Sequence, residues 1–133
     1  MAVVVFDSDV LIAFLSASDA HHDEAVERVR DSLAPGTRRL LSAVNYSEIL
    51  IGPLRAGEHA RVEQMLVKFG IETITVDMEL AERAAAVSAK TNLALPDAYA
   101  LATAIHAEKR GWKDVLIASF DKAVLRARAS LGA

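Results

Sequence analysis

Cysteine is absent, which excludes disulfides, thiolate nucleophiles and cysteine-ligated zinc together. Although 53% of the residues are apolar, no apolar run reaches the roughly 20 residues that a bilayer-spanning helix needs. No membrane association is therefore expected. Met1 and Ala2 lead straight into an apolar stretch, with no basic segment or cleavage site before it. A secretory signal is thus not expected, and a cytoplasmic location fits. Internal repeats, low-complexity segments and long linkers are also missing. A strongly basic balance is missing too. The formal charge of −3 speaks against binding nucleic acid through bulk charge alone, since phosphate contacts need local positive charge.

What remains is a chain of 133 residues, the size of one domain able to bury about two-thirds of its unfolded surface. Charged residues make up 25% and are unevenly spread. Acids crowd residues 1–31, and Lys109, Arg110, Lys113, Lys122, Arg126 and Arg128 crowd the last quarter. A solvated helical surface accounts for the basic cluster without any partner.

Periodicity orders the elements. Val3 to Phe6 is a continuous apolar run, as in a strand covered on both faces. A helix is predicted from about Asp9 and another from Asp19 to Leu33, ended by Pro35-Gly36. Arg39 to Leu41 suits a short strand. Ser42 offers a cap for a helix to about Ile51, closed by Gly52-Pro53. From Glu58 the spacing of Val62, Met65, Leu66 and Phe69 is helical, with Gly70 as the stop. "ETITV", Glu72 to Val76, alternates as a strand. Asp77 caps a helix whose stripe is Leu80, Ala84 and Val87. Ala98, Leu101, Ala102 and Ile105 mark another, ended by Gly111. Val115 to Ala118 is a last buried strand, and a final helix begins near Phe120. Strands alternating with helices, without hairpin signals, imply a parallel sheet in an α/β sandwich.

In such folds the working groups collect at the carboxyl ends of the strands. Asp7 and Asp9 follow the first strand, and Asp121 follows the last. Carboxylates there are costly to desolvate and repel one another. Glu48, within a mostly apolar helix, and Asp97, in the first turn of the most apolar helix, stand out in the same way. Either has a bland explanation, a solvent face for Glu48 and a helix cap for Asp97. Gathered in one cleft, Asp7, Glu48, Asp97 and Asp121 would need a cation. An all-oxygen set favours Mg²⁺ or Mn²⁺, which can activate water and stabilise phosphodiester displacement.

"VVFDSDVLIAFL", "LSAVNYSEILIG", "LALPDAYALATAI" and "LIASFDKAVL" resemble, in order and spacing, the four blocks of the PIN-domain family. The likeness spans essentially the whole chain, residues 1–133 as a single domain. The size resembles the VapC-type toxins of toxin–antitoxin pairs. This resemblance implies a three-layer sandwich, a central parallel sheet of four or five short strands flanked by helices. It also implies a metal-dependent ribonuclease that hydrolyses RNA to a 5′-phosphate and a 3′-hydroxyl. Asp7, Glu48, Asp97 and Asp121 would be the catalytic metal site. Ser8 and Ser119 would be supporting donors. Asp9 stands where the family varies and is expected to cap the first helix, with a role as a further ligand as the alternative. A homodimer and a VapB-type antitoxin partner are implied as well. Many relatives end on another short strand, whereas this chain stops at "RARASLGA", so four strands are expected rather than five.

Two alternatives stay open at this point. A haloacid-dehalogenase-type phosphatase would use Asp7 as nucleophile and Asp9 as acid and base, with Lys90 or Lys122 on the phosphoryl group. Leu11 and the lack of a paired acid beside Asp121 fit that pattern poorly. A PIN-like module that binds RNA or protein without cutting is the other. Arg38, Arg39, Lys122 and Arg126 are candidates to guide an RNA backbone. His21-His22 is expected to be solvated surface, His106 to suit a helix C-terminus, and Trp112 to anchor a helix end. Tyr99 shares the Asp97 helix with Thr103, which is expected to bond back to its own helix.

Overall fold

The computed structural model describes residues 2–131. Four strands, β1 (Ala2–Phe6), β2 (Thr37–Ser42), β3 (Ile71–Ile74) and β4 (Val115–Ala118), form one sheet in the order β3-β2-β1-β4. All three pairings are parallel. The helices are α1 (Ser8–Leu15), α2 (His22–Asp31), α3 (Ala43–Arg55), α4 (Ala60–Phe69), α5 (Met78–Thr91), α6 (Leu95–Lys109) and α7 (Lys122–Leu131). They make a sandwich with the sheet as its middle layer. Among the described residues no fifth strand joins the sheet.

The alternation of β1 sorts the core. Phe6 packs with Val10, Leu11, Val29, Leu41 and Ile49 under the first helices. Val3 and Val5 turn the other way, onto Ala104 and Ala107 of α6. Each fully buried Val, Leu or Phe contributes about 1.5–3 kcal/mol. Helix α6 is buried on most of its circumference, with Ala98, Ala100, Leu101, Ala102, Thr103, Ala104 and Ala107 all inside. A helix enclosed in this way has to be apolar all round, which explains its alanine content.

Several boundaries differ from the sequence expectations. Asp7, not Asp9, caps α1, accepting the Ser8 N–H at 2.9 Å. Helix α2 starts at His22 because the Asp19 carboxylate takes the His21 N–H at 2.8 Å and holds a turn there. It ends at Asp31, before Pro35-Gly36, with the N–H of the cap residue Ser32 on the Arg28 and Val29 carbonyls. Helix α3 runs through Gly52-Pro53, because proline removes only one ladder bond near the end. The carbonyls of Gly52 and Pro53 still accept the Ala56 and Glu58 N–H groups. Strand β3 spans Ile71–Ile74 rather than Glu72–Val76, starting directly after the left-handed cap Gly70 (φ +61°). Asp77 caps α5 as expected, at 2.8 Å to the Leu80 N–H.

Candidate active site

Strand order places the site. The chain steps from β1 through β2 to β3 on one side, while β4 lies on the other side of β1. The crevice beyond the carboxyl ends of β1 and β4 is therefore the switch point where α/β folds bind ligands. One bond beyond the strands, from the Asp7 N–H to the Ala118 carbonyl at 2.9 Å, carries the β1–β4 ladder into this crevice. It sets Asp7 beside Ser119.

Asp7 is almost wholly buried. Its Oδ1 accepts the Ser8 N–H, and its Oδ2 accepts the Ser119 hydroxyl at 2.8 Å. Burial, reinforced by the charges of Asp9 and Asp97, still pushes its carboxyl up to about 7. The Ser119 Oγ in turn accepts the Asp121 N–H at 3.0 Å. Asp121 Oδ1 takes the Ala123 N–H at 2.8 Å, at the start of α7. Ser8 thus supports Asp7 through its main chain, and Ser119 through its side chain.

Asp97 lies in the first turn of α6, after Pro96. Burial raises its proton affinity, and so do the charges of Asp121, Glu48 and Asp9. Asp9 is not the helix cap. From the first turn of α1 its Oδ2 reaches across to accept the Phe120 N–H at 3.0 Å, tying α1 to the loop after β4. Its own affinity is raised by burial and by the charge of Asp121, against the bond from the Phe120 N–H. Five acids from four segments, Asp7, Asp9, Glu48, Asp97 and Asp121, feel one another at one end of the sheet.

A residue not singled out from the sequence holds two of these segments together. Asn45 is completely buried. Its Oδ1 accepts the Ser42 hydroxyl at 2.7 Å, and its Nδ2 donates to Glu48 Oε1 at 3.1 Å and to the Pro96 carbonyl at 3.0 Å. The only signal in the sequence is an Asn three residues before Glu48, on the same helical face.

The donor set suits a hard divalent cation: every side chain offers oxygen. One atom has the character such an ion needs. Asp9 Oδ1 is buried and has no hydrogen-bond partner, a costly state for a carboxylate oxygen. Among the described residues no three His, Asp or Glu side chains are arranged to hold a metal ion as they stand.

Other candidates fall elsewhere. Arg38 makes a two-pronged pair with Glu72 at 2.8 and 2.9 Å, and its guanidinium lies 4.6 Å from the Trp112 ring centre. Arg39 donates to the carbonyls of Phe69, Ser32 and Thr37. Both hold the fold together and are not free to guide a backbone. Lys122 and Arg126 are exposed on α7. Thr103 bonds back to the Tyr99 carbonyl at 2.8 Å, as expected. His106 Nε2 takes a bond from Arg110 at 3.2 Å. The two histidines are more than solvated surface. His22 Nδ1 lies 2.8 Å from the Ala13 carbonyl, and His21 stacks on Phe120.

Residues 4–129 match the family model for the PIN domain. Two solved structures are similar. One is a toxin–antitoxin complex from Klebsiella pneumoniae, 24% identical, with a TM-score of 0.63, covering 87% of this chain and 96% of that chain. The other is VapC20 of Mycobacterium tuberculosis, titled a sarcin–ricin loop cleaving toxin, 19% identical, with a TM-score of 0.71 and 95% of both chains covered. Comparison with curated proteins gives no match.

Proposed function

We propose, from the premise that this chain belongs to the PIN-domain family, that it is a Mg²⁺- or Mn²⁺-dependent endoribonuclease of the VapC type. The observation that carries this reading is the convergence of Asp7, Glu48, Asp97 and Asp121 at the switch point of the sheet. The fold is shared with two solved structures, one titled a toxin–antitoxin complex and the other a sarcin–ricin loop cleaving toxin.

Asp7 and Asp97 would hold the principal ion, with Glu48 and Asp121 completing the set and Asp9 Oδ1 as a further acceptor. When bound, the metal supplies Lewis acidity toward the phosphodiester and lowers the pKa of water. The protein does the positioning. Ser119 fixes the Asp7 carboxylate and the Asp121 main chain with one hydroxyl. Asn45 fixes Glu48 against the start of α6. Burial keeps water off Asp7, so its charge acts in a medium of low polarity.

As a toxin the chain would work in the cytoplasm beside an antitoxin of the VapB type. A groove of about 840 Å³, lined by Ile12, Leu15, Ile49, Ile51 and Pro53 and reaching Glu48, supports such a partner. Among the described residues no helix is long and apolar enough to cross a membrane. A homodimer is part of the same reading, and gel filtration across a wide concentration range tests it.

Incubating a mixed set of short RNAs with purified protein and Mn²⁺, with and without EDTA, tests the activity. Chelator-sensitive cuts with 5′-phosphate and 3′-hydroxyl ends are expected. Binding without cutting would favour a non-cleaving module. Release of inorganic phosphate from small phosphomonoesters would favour the phosphatase.

A further inference from the structure

We propose that the stacked rings of His21 and Phe120 form a shelf that binds one unpaired RNA base, carrying an exocyclic amino group, next to the cleavage site. The proposal rests on the ribonuclease reading and names a part of its substrate. The two rings lie 5.1 Å apart, centre to centre, at 28°. They wall a groove of about 370 Å³ whose other lining includes Ile12, Ala13, Asp9 and Asp121. That volume lies within the range of small-molecule clefts. Unpaired bases are commonly held by stacking on aromatic side chains, and each such contact is sequence-tolerant.

The main chain that carries both rings is held before any ligand arrives. Asp9 holds the Phe120 N–H at 3.0 Å, and Asp19 holds the His21 N–H at 2.8 Å. Ordering costs on binding are correspondingly small. Phe120 is flanked in sequence by Ser119 and Asp121, so a base on the shelf puts its own phosphate at the acids.

Charge decides which part of RNA fits. Asp9, Asp19 and Asp121 all line this groove; Asp19 lies outside the proposed metal set, so its charge disfavours a phosphate beside the rings and leaves the base as their occupant. Carboxylates only accept hydrogen bonds when ionised, and they pair with base amino groups. Asp19, with one oxygen on the His21 N–H, keeps lone pairs for such a donor. Adenine, cytosine and guanine supply one, and uracil does not. His21, with its side chain 57% exposed, is not needed for the core. Neither the His21-His22 pair nor Phe120 reads as a stacking pair in sequence, because α2 and the loop after β4 meet only in the fold.

Short single-stranded RNAs with one 2-aminopurine walked along the chain test the shelf. They are titrated, in Mg²⁺, with Asp97→Asn protein so that no cutting intervenes. Fluorescence quenching at one position is expected. His21→Ala in the same background abolishes that quenching and weakens binding about ten-fold, and His21→Tyr restores both. Uracil at the quenched position binds more weakly than adenine. Unchanged quenching and affinity in the His21→Ala protein would overturn the shelf and leave the ribonuclease reading standing. Equal affinity for uracil would overturn the amino-group preference. An Asp97→Asn protein that binds none of the RNAs would overturn both proposals.

Discussion

The side-chain amide of Asn45 donates to the Glu48 carboxylate at 3.1 Å and, from the same nitrogen, to the carbonyl of Pro96 at 3.0 Å. One buried group thereby sets the distance between α3, which carries Glu48, and the first turn of α6, which carries Asp97. Support of this kind around a metal site is worth about 10–100-fold in affinity or activity. Asn45→Ala should lower Mn²⁺ affinity in a calorimetric titration by that factor. It also strips partners from Ser42 and Pro96, which costs about 1–3 kcal/mol of stability. Asn45→Asp, equal in size but charged against Glu48, should lower Mn²⁺ affinity as well. Full Mn²⁺ affinity in both variants would remove Asn45 from the account.

Asp7 gives the metal-free protein a distinctive pH dependence. Its carboxyl is raised from 3.8 to about 7, so between these values the native state binds more protons than the unfolded chain. The stability it contributes is fully present below about pH 4 and is lost as pH rises through about 7. Asp7→Asn, which keeps a neutral group there, should therefore melt higher than the wild type at pH 8 in EDTA. The gain should shrink towards zero near pH 4. A burial-dominated shift of this size corresponds to a few kcal/mol at most. Parallel melting curves across pH check it, and a variant less stable at pH 8 would contradict the burial argument.

The same raised affinity predicts proton release. A cation held by carboxylates requires them ionised. Mn²⁺ binding at pH 6, where Asp7 is largely protonated, should expel close to one proton, and at pH 9 close to none. Calorimetry in buffers of different ionisation enthalpy measures this number directly. A release that does not change with pH would detach Asp7 from the ion.

Arg39 separates architecture from chemistry. Its guanidinium satisfies three main-chain carbonyls, including Phe69 at the end of α4. Arg39→Ala should lower the melting temperature by several degrees, the equivalent of roughly 2 kcal/mol. RNA cleavage per folded molecule should stay at the wild-type rate. A selective loss of cleavage with unchanged melting would return Arg39 to the RNA path.

The acids were legible because each breaks a local rule. Asp7 ends a buried strand, Glu48 interrupts an apolar helix, and Asp97 opens one. Strand alternation with helices likewise pointed to a parallel sandwich. Strand order and the ties between segments were not legible. Asp9 looked like a cap because its partner, the Phe120 N–H, is brought to it only by the β1–β4 pairing. Asn45 looked like an ordinary helix residue because its second acceptor, Pro96, lies on another element. Arg38 and Arg39 looked free because Glu72 of β3 and, beside the neighbouring Thr37 carbonyl, the Phe69 and Ser32 carbonyls that occupy them come from other elements. The stop expected at Gly52-Pro53 failed for a local reason, since a proline in the last turn of α3 forfeits a single bond.

The most direct test of the central claim is RNA cleavage in Mn²⁺ by the wild type and Asp97→Asn side by side, each with an EDTA control. Cutting by the wild type that stops with EDTA, and falls at least 100-fold in Asp97→Asn, is the predicted result. Metal-dependent cutting at the wild-type rate by well-folded Asp97→Asn would contradict the assignment of the acidic cluster as the active site.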